Sequence, residues 1–222
     1  MKKTIVFDCD STLSSIEGVD ELARLKGESV YREIEAMTNA AMNGEIAVEE
    51  VFAKRLALLN PSRDDIAEVG LLYIREMVPG LKQALEQLRK DDWGFVILSG
   101  GFREAILPLA RELGIARVEA VDLRFDAAGN YRGFDEAYPT TRTGGKPEVL
   151  QRLKEECPET SYWVMVGDGV SDLETKPEVD LFLGYGGVVE REKVKAGADA
   201  YLTRMEDLPS LLKKMSASGT KS

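Results

Sequence analysis

Short apolar runs closed by aspartate or glycine alternate along this chain with stretches whose apolar residues return every three or four positions. Lys2-Lys3-Thr4-Ile5-Val6-Phe7 runs directly into Asp8-Cys9-Asp10-Ser11-Thr12, a short strand ending in two carboxylates one residue apart. From Ser14 to about Ile74 the rhythm is helical. Ile16, Val19, Leu22 and Ala23 fit one face, then Ile34, Met37 and Ala41, then Val51, Phe52, Leu56 and Leu59. Asn43-Gly44 and Asn60-Pro61 punctuate this block, and no strand pattern interrupts it.

From Pro79-Gly80 the pattern changes to strand–helix alternation. It predicts a helix over Leu81 to Lys90, a buried strand Phe95-Val96-Ile97-Leu98 ending in Ser99-Gly100-Gly101, and a helix from Arg103 to Leu113. Val121 to Phe134 reads as a hairpin around Ala127-Ala128-Gly129-Asn130. Lys146-Pro147 opens a helix to about Glu156, since proline suits a first helical turn. Trp163 to Val166 is a strand closed by Gly167-Asp168-Gly169. Leu181 to Leu183 is another strand, Val194 to Thr203 gives a short helix and a last strand, and Leu208 to Met215 a last helix. Apolar strands between amphipathic helices imply an α/β fold with a doubly wound, mostly parallel sheet of Rossmann-like type. Residues 1–13 and 76–222 would form that core, and 14–75 a small helical cap inserted after the first strand.

Composition narrows the chemistry. Of 222 residues 44% are apolar, enough for a packed core, and the net charge of −10 argues against a nucleic-acid surface. There is no histidine. That excludes a Ser-His-Asp or Cys-His relay, a His-ligated zinc site and a phosphohistidine, and leaves acid–base work to carboxylates, lysine, tyrosine or water. The two cysteines, Cys9 and Cys157, form no CxxC pair and no Cys-x5-Arg phosphate loop. Cys9 reads as a small core side chain rather than a nucleophile. Asp8 ends the first apolar run too early for a signal peptide, and no stretch approaches a membrane span. The expected location is the cytoplasm, as a monomer or homodimer.

In a parallel sheet the carboxyl ends of the strands share one edge, so Asp8, Asp10, Ser99, Asp168 and Asp172 would converge with Lys146 from the Gly144-Gly145-Lys146 turn. Two like charges at ~4 Å cost roughly 4 kcal/mol at an effective dielectric near 20, so a cation must hold such a cluster. An oxygen-rich, histidine-free set suits Mg2+. Phosphate monoester hydrolysis fits: Asp8 as nucleophile forming an aspartyl-phosphate, Asp10 as proton donor and then acceptor, with Lys146, Ser99 and amides near Gly100 on the phosphoryl oxygens. Each segment alone is more often a plain turn or a helix cap. Their joint occurrence in this order carries the reading. EF-hand and P-loop fingerprints fail on residues, with Leu13, Val19, Thr140 and Pro147 where other types are required, and the dinucleotide fingerprint fails on spacing.

These segments resemble the haloacid dehalogenase-type phosphatases. Asp8-Cys9-Asp10-Ser11-Thr12, Ser99-Gly100-Gly101, Lys146 and Gly167-Asp168-Gly169-Val170-Ser171-Asp172 match that superfamily's four motifs in order. Glu17-Gly18-Val19-Asp20-Glu21-Leu22-Ala23, Ala41-Met42-Asn43-Gly44, Gly133-Phe134-Asp135-Glu136 and Gly184-Tyr185-Gly186-Gly187 extend the likeness to the branch that acts on phosphoserine. The resemblance implies a Mg2+-dependent phosphomonoesterase releasing L-serine, the last step of serine biosynthesis. It implies Mg2+ on the Asp8 carboxylate, the Asp10 carbonyl and Asp168, with Asp172 close behind. Ser99, Gly100, Lys146 and Ser171 would contact the phosphoryl group, Glu17 the substrate ammonium and Arg55 its carboxylate, with Met42 nearby. Val48 stands where the family often has an aromatic residue, which leaves room for phosphothreonine or another small phosphate. A phosphotransferase, a metal-dependent glycosyltransferase and a non-catalytic binding module are the other readings.

Overall fold

The computed structural model describes residues 2–43 and 45–218; the side chains of Met42, Val48 and residues 216–218 lie outside what is described. β1 (Lys2–Phe7) is followed by four helices, α1 (Gly18–Lys26), α2 (Glu28–Met42), α3 (Val48–Leu59) and α4 (Arg63–Arg75). Then come α5 (Leu81–Lys90), β2 (Trp93–Phe102), α6 (Arg103–Glu112), β3 (Arg117–Val121), β4 (Leu123–Phe125) and β5 (Tyr131–Phe134). The chain closes with α7 (Gly145–Glu156), β6 (Thr160–Gly167), α8 (Val170–Leu173), β7 (Leu181–Tyr185), α9 (Glu192–Gly197), β8 (Ala200–Leu202) and α10 (Leu208–Ser218).

Six strands form one sheet in the order β3-β2-β1-β6-β7-β8, and every pairing in it is parallel. β1 and β6 are its centre. Ile5, Val6 and Phe7 face Val164, Met165 and Val166, and all six are fully buried, as strands covered on both faces must be. The chain winds outward from β1 through β2 to β3, then returns to β6 on β1's other side. Strand order therefore reverses between β1 and β6, where a doubly wound sheet opens a crevice at its carboxyl edge.

β2 runs four residues past the predicted Leu98. Its pairing to β3 is irregular between Leu98 and Phe102, so Ser99-Gly100-Gly101 bulges at the sheet edge while still hydrogen-bonded as strand. β3 is an outer strand that the sequence pattern does not predict. β4 and β5 pair as the antiparallel hairpin expected around Gly129.

Helices α1–α4 leave and rejoin the sheet through two chain segments that touch. Ser14 bridges Met77, the Ser15 amide donates to the Glu76 carbonyl (2.8 Å), and the Val78 amide to that of Leu13 (3.1 Å). α4 starts at a Ser62/Asp65 capping box. It lies against α6, where Gly70 leaves room for the ring of Pro108. Among the described residues no helix is long and apolar enough to cross a membrane.

Candidate active site

The crevice at the carboxyl edge of β1 and β6 holds the acidic cluster. The Asp8 amide donates to the Val166 carbonyl (2.9 Å), so the β1–β6 ladder carries Asp8 to its place. The chain then turns sharply: the amides of Leu13 and Ser14 return to the Cys9 carbonyl, and Ser11 takes a left-handed φ of 49°. Cys9 points into the core, fully buried, and burial pushes its thiol pKa well up. Neither cysteine is in a disulfide.

Two glycines permit the close packing. A Cβ at Gly167 would fall 2.3 Å from Cγ of Asp172, and one at Gly145 would fall 1.8 Å from the Pro139 carbonyl oxygen. The first lets Asp172 fold back beneath β6. The second seats the start of α7, which aims Lys146 inward. Lys146 Nζ lies 2.6 Å from Asp172 Oδ1 and 2.9 Å from Asp8 Oδ1, all three side chains buried. Burial works against the Lys146 charge, but Asp172 and Asp8 outweigh it and raise its pKa.

Asp8, Asp168 and Asp172 each offer a carboxylate oxygen, and these oxygens lie within 4.8 Å of one another. Burial, and next the charge of Asp8, push Asp168 up to about 6 and Asp172 up to about 8. Lys146 therefore does not satisfy the cluster. Asp8 Oδ1 accepts no hydrogen bond of good geometry despite its burial and the nearby ammonium. An all-oxygen donor set with an unsatisfied buried oxygen and carboxylates forced toward protonation fits a small hard dication. Of the expected metal ligands, the side chains of Asp8 and Asp168 are in this group. Asp172 completes it, and the Asp10 carboxylate turns elsewhere.

Asp10 Oδ1 accepts from the Tyr73 hydroxyl and the Gly18 amide, both at 2.6 Å. Burial and then Asp8 raise its pKa, and these two bonds pull against the rise. Tyr73 is a site residue the sequence reading does not find, 63 positions from its partner. Asp168 is held by Thr12 (3.0 Å) and by Arg191 (3.2 Å), and Arg191 was likewise not singled out.

Above the cluster is a cavity of about 350 Å³ whose walls include Asp8, Asp10, Glu17, Arg55, Gly100, Lys146 and Ser171. Ser99 is fully buried behind that wall. Its Oγ accepts from the Gly101 amide (2.9 Å) and faces Asp10 Oδ2 at 3.4 Å. Glu17 accepts from Ser11 (2.6 Å), and burial, then Asp10, push its pKa well up. Arg55 donates to Thr38 (3.2 Å), which donates to Asp20 (2.9 Å); Arg55 Nε has no partner. The wall thus presents a carboxyl whose ionised form an ammonium would stabilise and a guanidinium with a free donor. Val19, Ala41, Ile46, Ala47 and Phe52 give it apolar surface. The expected contributions of Met42 and Val48 fall on side chains outside those described.

A family model described as haloacid dehalogenase-like hydrolase matches residues 2–175. A phosphoserine phosphatase from Bos taurus is 37% identical over 212 residues, covering 95% of this chain and 93% of the relative. A chloroplastic phosphoserine phosphatase from Arabidopsis thaliana is 37% identical over 210 residues, 93% of this chain and 70% of its own. Among solved structures, a phosphoserine phosphohydrolase-like protein from Francisella tularensis superposes with a TM-score of 0.85 at 28% identity, covering 95% of this chain and 99% of the other. A phosphoserine phosphatase captured as an analogue of its phospho-aspartyl intermediate gives 0.79 at 25%, covering 96% and 98%.

Proposed function

The chain belongs to the haloacid dehalogenase-like hydrolases and, within them, to the phosphoserine phosphatases, and from that membership and the site's geometry we propose that it hydrolyses O-phospho-L-serine to L-serine and phosphate. One observation carries the substrate. A single cavity joins a carboxylate–lysine floor, suited to a phosphoryl group, to a wall bearing Glu17 and Arg55, suited to the ammonium and carboxylate of an amino acid.

In this reading an Asp8 oxygen attacks phosphorus in line, forming the aspartyl-phosphate as the bond to the serine oxygen breaks. Asp10 gives its proton to the departing alkoxide. It then takes a proton from the water that attacks the aspartyl-phosphate, which releases phosphate and regenerates Asp8. Lys146 supplies a fixed positive charge to the phosphoryl oxygens, and Ser171 and amides near Gly100 supply donors. Ser99 holds the Gly100-Gly101 backbone and borders Asp10 from behind. Asp8, Asp168 and Asp172, with the Asp10 carbonyl, would hold Mg2+, which when bound offsets the charge of the carboxylates and of the transferring group. Residues 14–75 act as a cap over the cavity, on the paired segments at Leu13–Ser15 and Glu76–Val78. Two unpaired cysteines fit the reducing cytoplasm.

Phosphate release from L-phosphoserine, O-phosphothreonine and glycerol phosphate, each with Mg2+ and with chelator, tests this reading. Metal-dependent release fastest from phosphoserine is expected. Equal rates on all three would keep the floor chemistry and reject Glu17 and Arg55 as the substrate's partners, and no release from any would reject the function.

Tyr73→Phe removes one of the two bonds that favour the ionised form of Asp10. Its carboxyl then rises further, so the step that needs Asp10 as base weakens at low pH. Turnover near neutral pH is expected to fall roughly ten-fold, the scale of one lost bond to a charged acceptor, with the acid limb of the profile moved to higher pH. An unmoved profile would separate Tyr73 from Asp10's proton transfers.

A further inference from the structure

Arg191 lies just before α9, outside the four motif segments, yet its buried guanidinium has one arm on the acidic cluster and another on the helical segment. Nε donates to Asp168 Oδ2 at 3.2 Å, and Nη1 donates to Asn43 Oδ1 at 3.2 Å, at the end of α2. Lys193, two residues on, donates to the Asn43 carbonyl at 2.7 Å. Asn43 is therefore gripped twice by the N-terminal end of α9. Of the described contacts between residues 18–59 and the loops around β7 and α7, Glu49 on Thr143 forms the other clear latch, and that one does not touch the carboxylates.

We propose that Arg191 is a positioning residue that couples closure of the helical segment to the cation affinity of the acidic cluster. This rests on Asp168 being a cation ligand, as read above. The bond to Asn43 fixes the plane of the guanidinium and occupies one of its two terminal nitrogens. Asp168 Oδ1 is meanwhile fixed by Thr12. When the segment lifts, Asn43 leaves with it. The guanidinium is then free to turn its whole fork onto Asp168, the two-pronged geometry that arginine and carboxylate favour. A fork-bound Asp168 has a second positive charge competing for its oxygens, so the open state binds a dication more weakly. Linkage makes the effect reciprocal: the cation favours closure by the factor by which closure favours the cation.

The test is calorimetric titration of Mg2+ into the chelator-treated full chain, without substrate. Asn43→Ala touches no carboxylate of the cluster, yet it is expected to weaken Mg2+ binding about five-fold or more, the lower range of measured coupling between sites. In an Arg191→Met background the same Asn43→Ala change is expected to alter affinity by less than about two-fold, because the transmitting arm is gone. Saturable binding with an affinity that Asn43→Ala leaves unchanged would overturn the coupling while leaving the cation site standing. Absence of any saturable Mg2+ binding to the unaltered chain would overturn the cation site and the coupling with it. Should Arg191→Met fail to fold, the single Asn43→Ala result decides between these outcomes.

Discussion

Asp8→Asn is expected to lower phosphate release from phosphoserine by roughly 10^4-fold or more, the scale on which loss of a covalent nucleophile is felt. An amide oxygen is too poor a nucleophile to take up the phosphoryl group, and neither Cys9 nor Ser99 replaces it: Cys9 points into the core and Ser99 stands behind the wall. The fold is expected to survive. Lys146 keeps Asp172 at 2.6 Å, so of its two ion pairs only the one to Asp8 Oδ1 at 2.9 Å is weakened. Removing the Asp8 charge also relieves Asp168 and Asp172, on both of which it is the second cause of an upward shift after burial. The chelated variant should therefore unfold at a temperature no lower than the chelated parent. Acid quenching during turnover, followed by mass spectrometry of the peptide carrying Asp8, should find a phosphoryl group in the parent and none in the variant. Near-parental turnover in Asp8→Asn would mean that water attacks phosphorus directly and that the aspartyl-phosphate does not form.

The elements that carry these residues were legible because each obeys a local rule. β1 and β6 are apolar runs that must be buried on both faces, and the carboxylates follow at their ends. The helical block shows the 3.6 period, and Gly-Gly-Lys-Pro opens α7. β3 escaped the pattern because Arg117 and Glu119 interrupt it with charge. Glu119 is nonetheless buried, satisfied by Arg117 (2.8 Å), by Arg152 (2.8 Å) and by the hydroxyl of Tyr138 (2.5 Å), partners that only the tertiary fold supplies. The same reason hid Tyr73 and Arg191. On α4, Tyr73 occupies an ordinary apolar position of a helix, and nothing local marks its hydroxyl as the one that meets Asp10. Asp172 was legible as a neighbour of the cluster, but its place among the ligand oxygens depends on Gly167, whose bare Cα lets the carboxylate fold back. What remains hidden in a sequence of this kind is the set of bonds made across more than one element.

Metal removal should make the protein's stability fall as pH rises, the reverse of ordinary acid denaturation. Burial holds Asp172 at about 8 and Asp168 at about 6 in the folded, metal-free chain, against roughly 3.9 when unfolded. Between those values the folded state binds more protons than the unfolded state, so the free energy of unfolding declines with increasing pH. Their contribution is fully favourable only below about pH 4 and is lost as pH climbs through 6 and then 8. Burial raises Asp10, Glu17 and Asp20 in the same direction. Asp126, pulled down to about 2 by its bonds to Asn130, acts only at much lower pH and cannot offset the trend. In chelator, the unfolding temperature is therefore expected to drop between pH 5.5 and 8 by an amount equivalent to a few kcal/mol, several degrees for a chain of this size. Saturating Mg2+ should flatten the slope, because a bound dication keeps the carboxylates ionised at little cost, and its binding should release protons. The stabilisation given by Mg2+ then grows with pH and is largest near 8. Thermal melts across that range, with and without Mg2+, read the effect directly. A Mg2+ increment that stays constant from pH 5.5 to 8 would mean that Asp168 and Asp172 are already ionised without the metal, and that Lys146 and Arg191 suffice to hold the cluster together.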